Sequence, residues 1–112
     1  MFRLAPARRI GDARGMAFFF ARLVPLRPDF PADMTPAEGA VMQQHAAFLA
    51  EQLARGVLVA AAPVFDPGGV FGMAIFEADS LDTVRSLLVS DPASAVGRYE
   101  ILPMGPTIAR PR

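Results

Sequence analysis

Residues 35–56, TPAEGAVMQQHAAFLAEQLARG, constrain the fold more than any other stretch, because they carry a helix with both ends marked. Thr35 followed three residues later by Glu38 is a capping-box signature, Pro36 suits the first helical position, and Gly56 stands where a helix stops. At roughly 100° per residue, Met42, Ala46, Leu49 and Leu53 fall on one stripe, predicted to be buried, with Gln43, Ala47, Ala50, Glu51 and Ala54 opposite. His45, the one histidine of the chain, lies among Val41, Phe48 and Gln52. It sits about 60° from the centre of the stripe, at the edge of the buried face.

The flanking sequence supplies strands. Residues 16–24 (MAFFFARLV) are apolar, aromatic-rich and closed by Pro25, which fits a strand with Phe18 and Phe20 on one face and Phe19 and Leu23 on the other. Residues 25–34 hold three prolines and read as a loop able to wall a pocket. Residues 57–65 (VLVAAAPVF) and 70–78 (VFGMAIFEA) form a hairpin across Asp66-Pro67-Gly68-Gly69, whose Pro-Gly order predicts a type II turn. Ser80 caps a second helix with Leu81, Val84 and Leu88 inward, Asp91-Pro92 ends it, and residues 98–104 (RYEILPM) make the last strand.

The order β-α-β-β-α-β predicts an α+β chain of ferredoxin-like type. Its four-stranded antiparallel sheet runs last, first, third, second strand, with both helices on one face. The first strand is apolar on both faces, and a face the helices cannot cover needs another cover. A homodimer with its sheets packed face to face, a dimeric α+β barrel, is the expected answer.

Composition narrows the function classes. At 112 residues the chain is one domain, expected as a body at 16–104 between a basic flexible N-terminal tail, 1–15, and a C-terminal tail, 105–112. Eleven basic residues, all Arg, balance eleven acidic ones, which argues against nucleic acid or a membrane surface as partner. The apolar run after the basic start is short and broken by Arg22, unlike a secretory signal, and nothing approaches a membrane span, so a cytoplasmic location is expected. Without cysteine there are no disulfides or thiolate chemistry, and with a single His no metal site is expected.

Topology gathers polar residues at the mouth of the gap between the first helix and the sheet: Arg27 and Asp29 in the loop, Asp66 in the hairpin, Asp91 and Arg98. His45 lines that gap and is the side chain suited to acid–base work near neutrality. Asp66 and Asp91 are the candidate carboxylates beside it, and both also suit plain turn roles. Arg27, Arg98 and Arg22 are the candidate anion holders, Arg22 only if its side chain faces the gap.

The segments FFFARLVPLRPDF, DMTPAE, MQQHAAFLAEQLARG, PVFDPGG, SDPA and RYEILPM together resemble the YCII-related (YciI-like) family over residues 16–104. The resemblance implies a dimeric α+β barrel and a small cofactor-independent enzyme with His and Asp at the mouth of a pocket. Where YciI-like members carry Asp on the helix two residues before the Gly, this chain has Ala54, so Asp66 or Asp91 must supply the carboxylate. The reading this supports is an isomerase- or lyase-type acid–base enzyme acting on a small aromatic or enolisable metabolite. The alternative is a non-catalytic ligand-binding or accessory homodimer.

Overall fold

The computed structural model describes residues 8–10 and 15–111. Most of the basic N-terminal tail expected at 1–15 thus lies outside the described residues. Strand β1 is Arg8–Ile10, β2 is Ala17–Pro25, helix α1 is Pro36–Ala54, β3 is Leu58–Asp66, β4 is Gly69–Ala78, α2 is Leu81–Val89, β5 is Gly97–Pro103 and β6 is Thr107–Ala109.

Both ends of α1 form as the sequence dictates. The Thr35 amide donates to Glu38 Oε1 at 2.9 Å and the Glu38 amide to Thr35 Oγ1 at 3.2 Å, completing the capping box. At the other end Gly56 takes φ 76°. Its amide donates to the Leu53 carbonyl and that of Val57 to the Gln52 carbonyl, both at 3.1 Å. This pair of bonds is a Schellman stop, and it turns the chain directly into β3.

The main sheet runs β3-β4-β2-β5, antiparallel throughout, which is the predicted ferredoxin-like order. Alternation along β2 puts Phe19, Ala21 and Leu23 under the helices, paired across β4 with Phe76, Ala74 and Gly72. Phe19, Ala21, Leu58, Ala74 and Phe76 join Val84 and Leu88 of α2 in one buried cluster, with Phe48 and Leu49 of α1 against it. Both helices therefore share one face. No helix among the described residues is long and apolar enough to cross a membrane.

Three expectations are corrected. The buried side of α1 follows Gln52, 2 % exposed, while Leu53 is 51 % exposed; Val41, His45 and Phe48 share the inward line with Gln52. Alanine on every side of this helix leaves its phase poorly marked. The hairpin is not closed by a type II turn, because Gly68 lacks the positive φ which that turn requires; Gly69 has φ 142° instead. The stretch read as a C-terminal tail contains β6, antiparallel to β1 with Arg9 opposite Ile108.

Candidate active site

Three elements converge on one carboxylate. Helix α2 ends at Val89, and Asp91 caps the single 3-10 turn Pro92–Ala95 that follows, its Oδ1 accepting from the Ala93 amide at 2.9 Å. From α1, His45 brings Nδ1 to 2.9 Å from both Asp91 oxygens. From β5, the Tyr99 hydroxyl donates to Asp91 Oδ2 at 2.5 Å. Asp91 is 1 % exposed, and a buried carboxylate is tolerated only when donors surround it.

Burial pushes the Asp91 carboxyl up, but the hydrogen bonds from His45, Tyr99 and the Ala93 amide together outweigh it and hold the group below the usual carboxylate range. For Tyr99, burial and then the Asp91 carboxylate push the phenol far up, so it stays a donor. Since an ionised carboxylate only accepts, the proton of a neutral His45 belongs on Nδ1. That leaves Nε2 with its lone pair and no hydrogen-bond partner among the described residues.

His45 lines a cavity of about 320 Å³ between α1 and the sheet. Small residues make the room: Ala61 pairs with Ala74, and Gly72 lies between Pro63 and Leu23, so the floor of the cavity is low. Phe30 and Pro31 line it from the loop, Met42 and Leu49 from α1, and Tyr99 from β5. Among the described residues, no lining side chain apart from His45 and Tyr99 carries nitrogen or oxygen. An imidazole held at Nδ1 by a buried carboxylate, in a ring that lines an apolar cavity, can take or give a proton there.

Of the candidate residues, the structure unites His45 and Asp91 and leaves the others apart. Asp66 binds the Gly68 amide at 2.8 Å, stays exposed and does not line the cavity. Arg27 is committed to Asp33 at 2.9 Å and to both Glu38 oxygens at 2.5 and 2.6 Å. It ties the loop to the start of α1, and this pairing, first among the causes, holds the half-buried Glu38 down to about 2. Arg22 alternates with Leu23 onto the opposite sheet face, where its guanidinium lies 4.4 Å from the centre of the Phe71 ring. Arg98, on that face too, pairs with Glu100 at 2.8 Å. Tyr99 is the site residue that sequence reasoning missed. The signal was present: it is the only tyrosine, on a strand position of the same parity as Ile101, and a buried phenol needs a partner.

Fold and site together define a ferredoxin-like α+β protein with an imidazole–carboxylate pair set over an apolar cavity. The chain belongs to the YCII-related domain family, whose model matches residues 18–107. No curated protein matches it. Among solved structures it is similar to a dimeric protein of unknown function and ferredoxin-like fold from Bacteroides fragilis, at 19 % identity and a TM-score of 0.49, covering 81 % of this chain and 96 % of that one. It is also similar to SnoaB, a cofactor-independent oxygenase from Streptomyces nogalater, at 18 % identity and a TM-score of 0.44, covering 80 % and 91 % of the two chains.

Proposed function

We propose that this chain is a small acid–base enzyme of isomerase or lyase type, in which His45 moves a proton on a small apolar metabolite. One observation carries the reading: both Asp91 oxygens lie 2.9 Å from His45 Nδ1 while the ring lines the cavity. The buried carboxylate fixes the Nδ1–H tautomer and stabilises the imidazolium that forms when Nε2 takes a proton from the substrate. Returning that proton to a different carbon completes an isomerisation, and loss of a leaving group from the anion completes an elimination. Such a relay draws on side chains alone. Asp91 and Tyr99 act through His45 as positioning residues, and the arginines hold the scaffold.

The test is hydrogen–deuterium exchange followed by NMR in heavy water, over a panel of apolar enolisable ketones and hydroxyaromatics. Wild-type protein is expected to speed exchange at an acidic position of at least one compound, and His45→Ala to slow it by roughly 10²–10⁴-fold, the usual contribution of a positioned base. Exchange equal in wild type and His45→Ala, or never above buffer, would overturn the reading.

A second reading, a ligand-binding module without turnover, draws on the lining, where the one polar side chain besides His45 is Tyr99, whose hydroxyl is already given to Asp91. Binding without exchange would favour it. Under either reading we propose a homodimer joined through the sheet face opposite the helices.

A further inference from the structure

The cavity's lining narrows the kind of molecule it takes, an inference that rests on the acid–base reading above. We propose that the occupant is uncharged and conjugated: a flat, one- or two-ring molecule with an acidic hydrogen, whose anion spreads its charge over its own π system, and which meets one polar atom of the protein, His45 Nε2.

Charge is the first argument. Among the described residues no arginine lines the cavity, and Arg22, Arg27 and Arg98 are engaged elsewhere. A protonated His45 adds no net attraction for an anion, because Asp91 at 2.9 Å already balances it. A carboxylate or phosphate entering here would lose its hydration with nothing to replace it, which is prohibitive for an unpaired charge.

Hydrogen bonding is the second. A simple ketone gives an enolate with its charge concentrated on one oxygen, and catalysis of that step calls for a donor aimed at the oxygen. The Tyr99 hydroxyl, the other polar side chain at the cavity, donates to Asp91. Pro25, Pro31 and Pro63 line it without an N–H to give. The site can hold a base but lacks a side-chain oxyanion donor, so stabilisation of the anion must be internal to the substrate, as in a hydroxyaromatic compound or a conjugated 1,3-dicarbonyl.

Shape is the third. About 320 Å³ is at the small end of the roughly 300–1,000 Å³ typical of small-molecule sites. Phe30 and Met42 on its walls offer the ring and thioether contacts that suit a planar π system. In the productive step the substrate's C–H or O–H bond breaks, its electron pair stays in the π system, and the proton bonds to Nε2.

The experiment compares naphthol, naphthalene and naphthoate by fluorescence titration of the full chain. These share one ring system and differ in acidic hydrogen and charge. Naphthol is expected to bind at least about tenfold tighter than either of the others, equivalent to about 1.4 kcal/mol. His45→Ala and His45→Gln are expected to bring naphthol towards naphthalene while leaving naphthalene unchanged. Naphthoate binding as tightly as naphthol, naphthol and naphthalene binding alike in wild type, or no binding of any of the three would each overturn the proposal. The two readings fail separately. If naphthoate binds best while His45-dependent exchange persists, the substrate class is wrong and the acid–base reading stands. If naphthol binds as expected and no panel compound exchanges, the substrate class stands and the proton-transfer reading falls.

Discussion

Asp91 holds three donors at once, from His45, Tyr99 and the Ala93 amide, and removing its charge separates orientation from packing. Asp91→Asn preserves size but presents an NH₂ group that cannot accept from Nδ1–H. If that group faces His45, the imidazole must adopt the other tautomer and carry its proton on Nε2, where it no longer serves as a base. Exchange activity is expected to fall by roughly 10²-fold or more, with a stability loss of about 1–3 kcal/mol by chemical denaturation. Activity close to wild type would remove Asp91 from the mechanism. Tyr99→Phe deletes one donor to a charged acceptor, and about 1.5–3 kcal/mol of stability should go with it; exchange should fall less than in Asp91→Asn, since the His45–Asp91 contact remains. The pH dependence of melting has a definite sign. The folded pKa of Asp91 lies below its ordinary value of about 3.9, so its contribution is complete above that value and is lost as pH falls through the lowered one. Tyr99 is raised above about 10, so its contribution is complete below that value and is lost as pH rises through the raised one. Asp91→Asn should therefore flatten part of the acid limb below about pH 4, and Tyr99→Phe part of the alkaline limb above about pH 10. Unchanged limbs would mean the triad contributes little to folding.

At the scale of elements, what was legible in the sequence is what local chemistry decides. Thr35, Glu38 and Gly56 mark α1 because caps are made by neighbours in sequence, and the alternation of Phe18 through Leu23 marks β2 because the pleat has a period of two. Asp91 could be named as a candidate, but its alternative as a helix-ending residue was equally legible, and it proves to be both a cap and the partner of His45. The phase of α1 was not legible, since alanines at 46, 47, 50 and 54 give no preference for one side. Arg98 was placed near the mouth by topology, and Arg22 was a candidate only if its side chain faced the gap, yet a one-residue step along a strand changes the face, and parity puts both on the far side. Tyr99 depends on a contact eight residues away in sequence, across the junction of α2 and β5, which no periodicity reports. Gly97 shows how tightly that junction is built: a Cβ there would lie 2.8 Å from the Val24 carbonyl oxygen and 2.9 Å from Leu23 Cδ1. Gly97→Ala must push β5 off β2, at a cost of about 1–3 kcal/mol. Because Tyr99 is two residues further along, exchange activity should fall together with the melting temperature. A melting curve matching wild type would show that the junction can yield.

The whole molecule poses a covering problem that one chain does not solve. Helices α1 and α2 occupy one sheet face, and on the other lie Phe20, Val24, Phe71, Met73 and Ile75, all only partly buried. Leu102 is 60 % exposed, also on this face. Isolated apolar residues at a surface are ordinary, but a contiguous patch across three strands is the kind of face that a partner covers. Arg22 does not break the patch, because its guanidinium lies over the Phe71 ring and can be covered in that pose. A second copy of the same face, related by a two-fold axis, is the simplest cover. Light scattering at micromolar concentration should then return twice the 12.0 kDa of one chain. Phe20 and Ile75 stand opposite one another in the β2–β4 register, near the middle of the patch. A carboxylate there would be solvated in a monomer but stranded between sheets in a dimer, so Ile75→Glu should halve the scattering mass while keeping the far-UV circular dichroism of the fold. His45 and Asp91 lie on the helical side, so the dissociated variant should keep part of its exchange activity. A wild-type mass of 12.0 kDa, or an Ile75→Glu variant with an unchanged dimeric mass, would place the interface elsewhere or remove it.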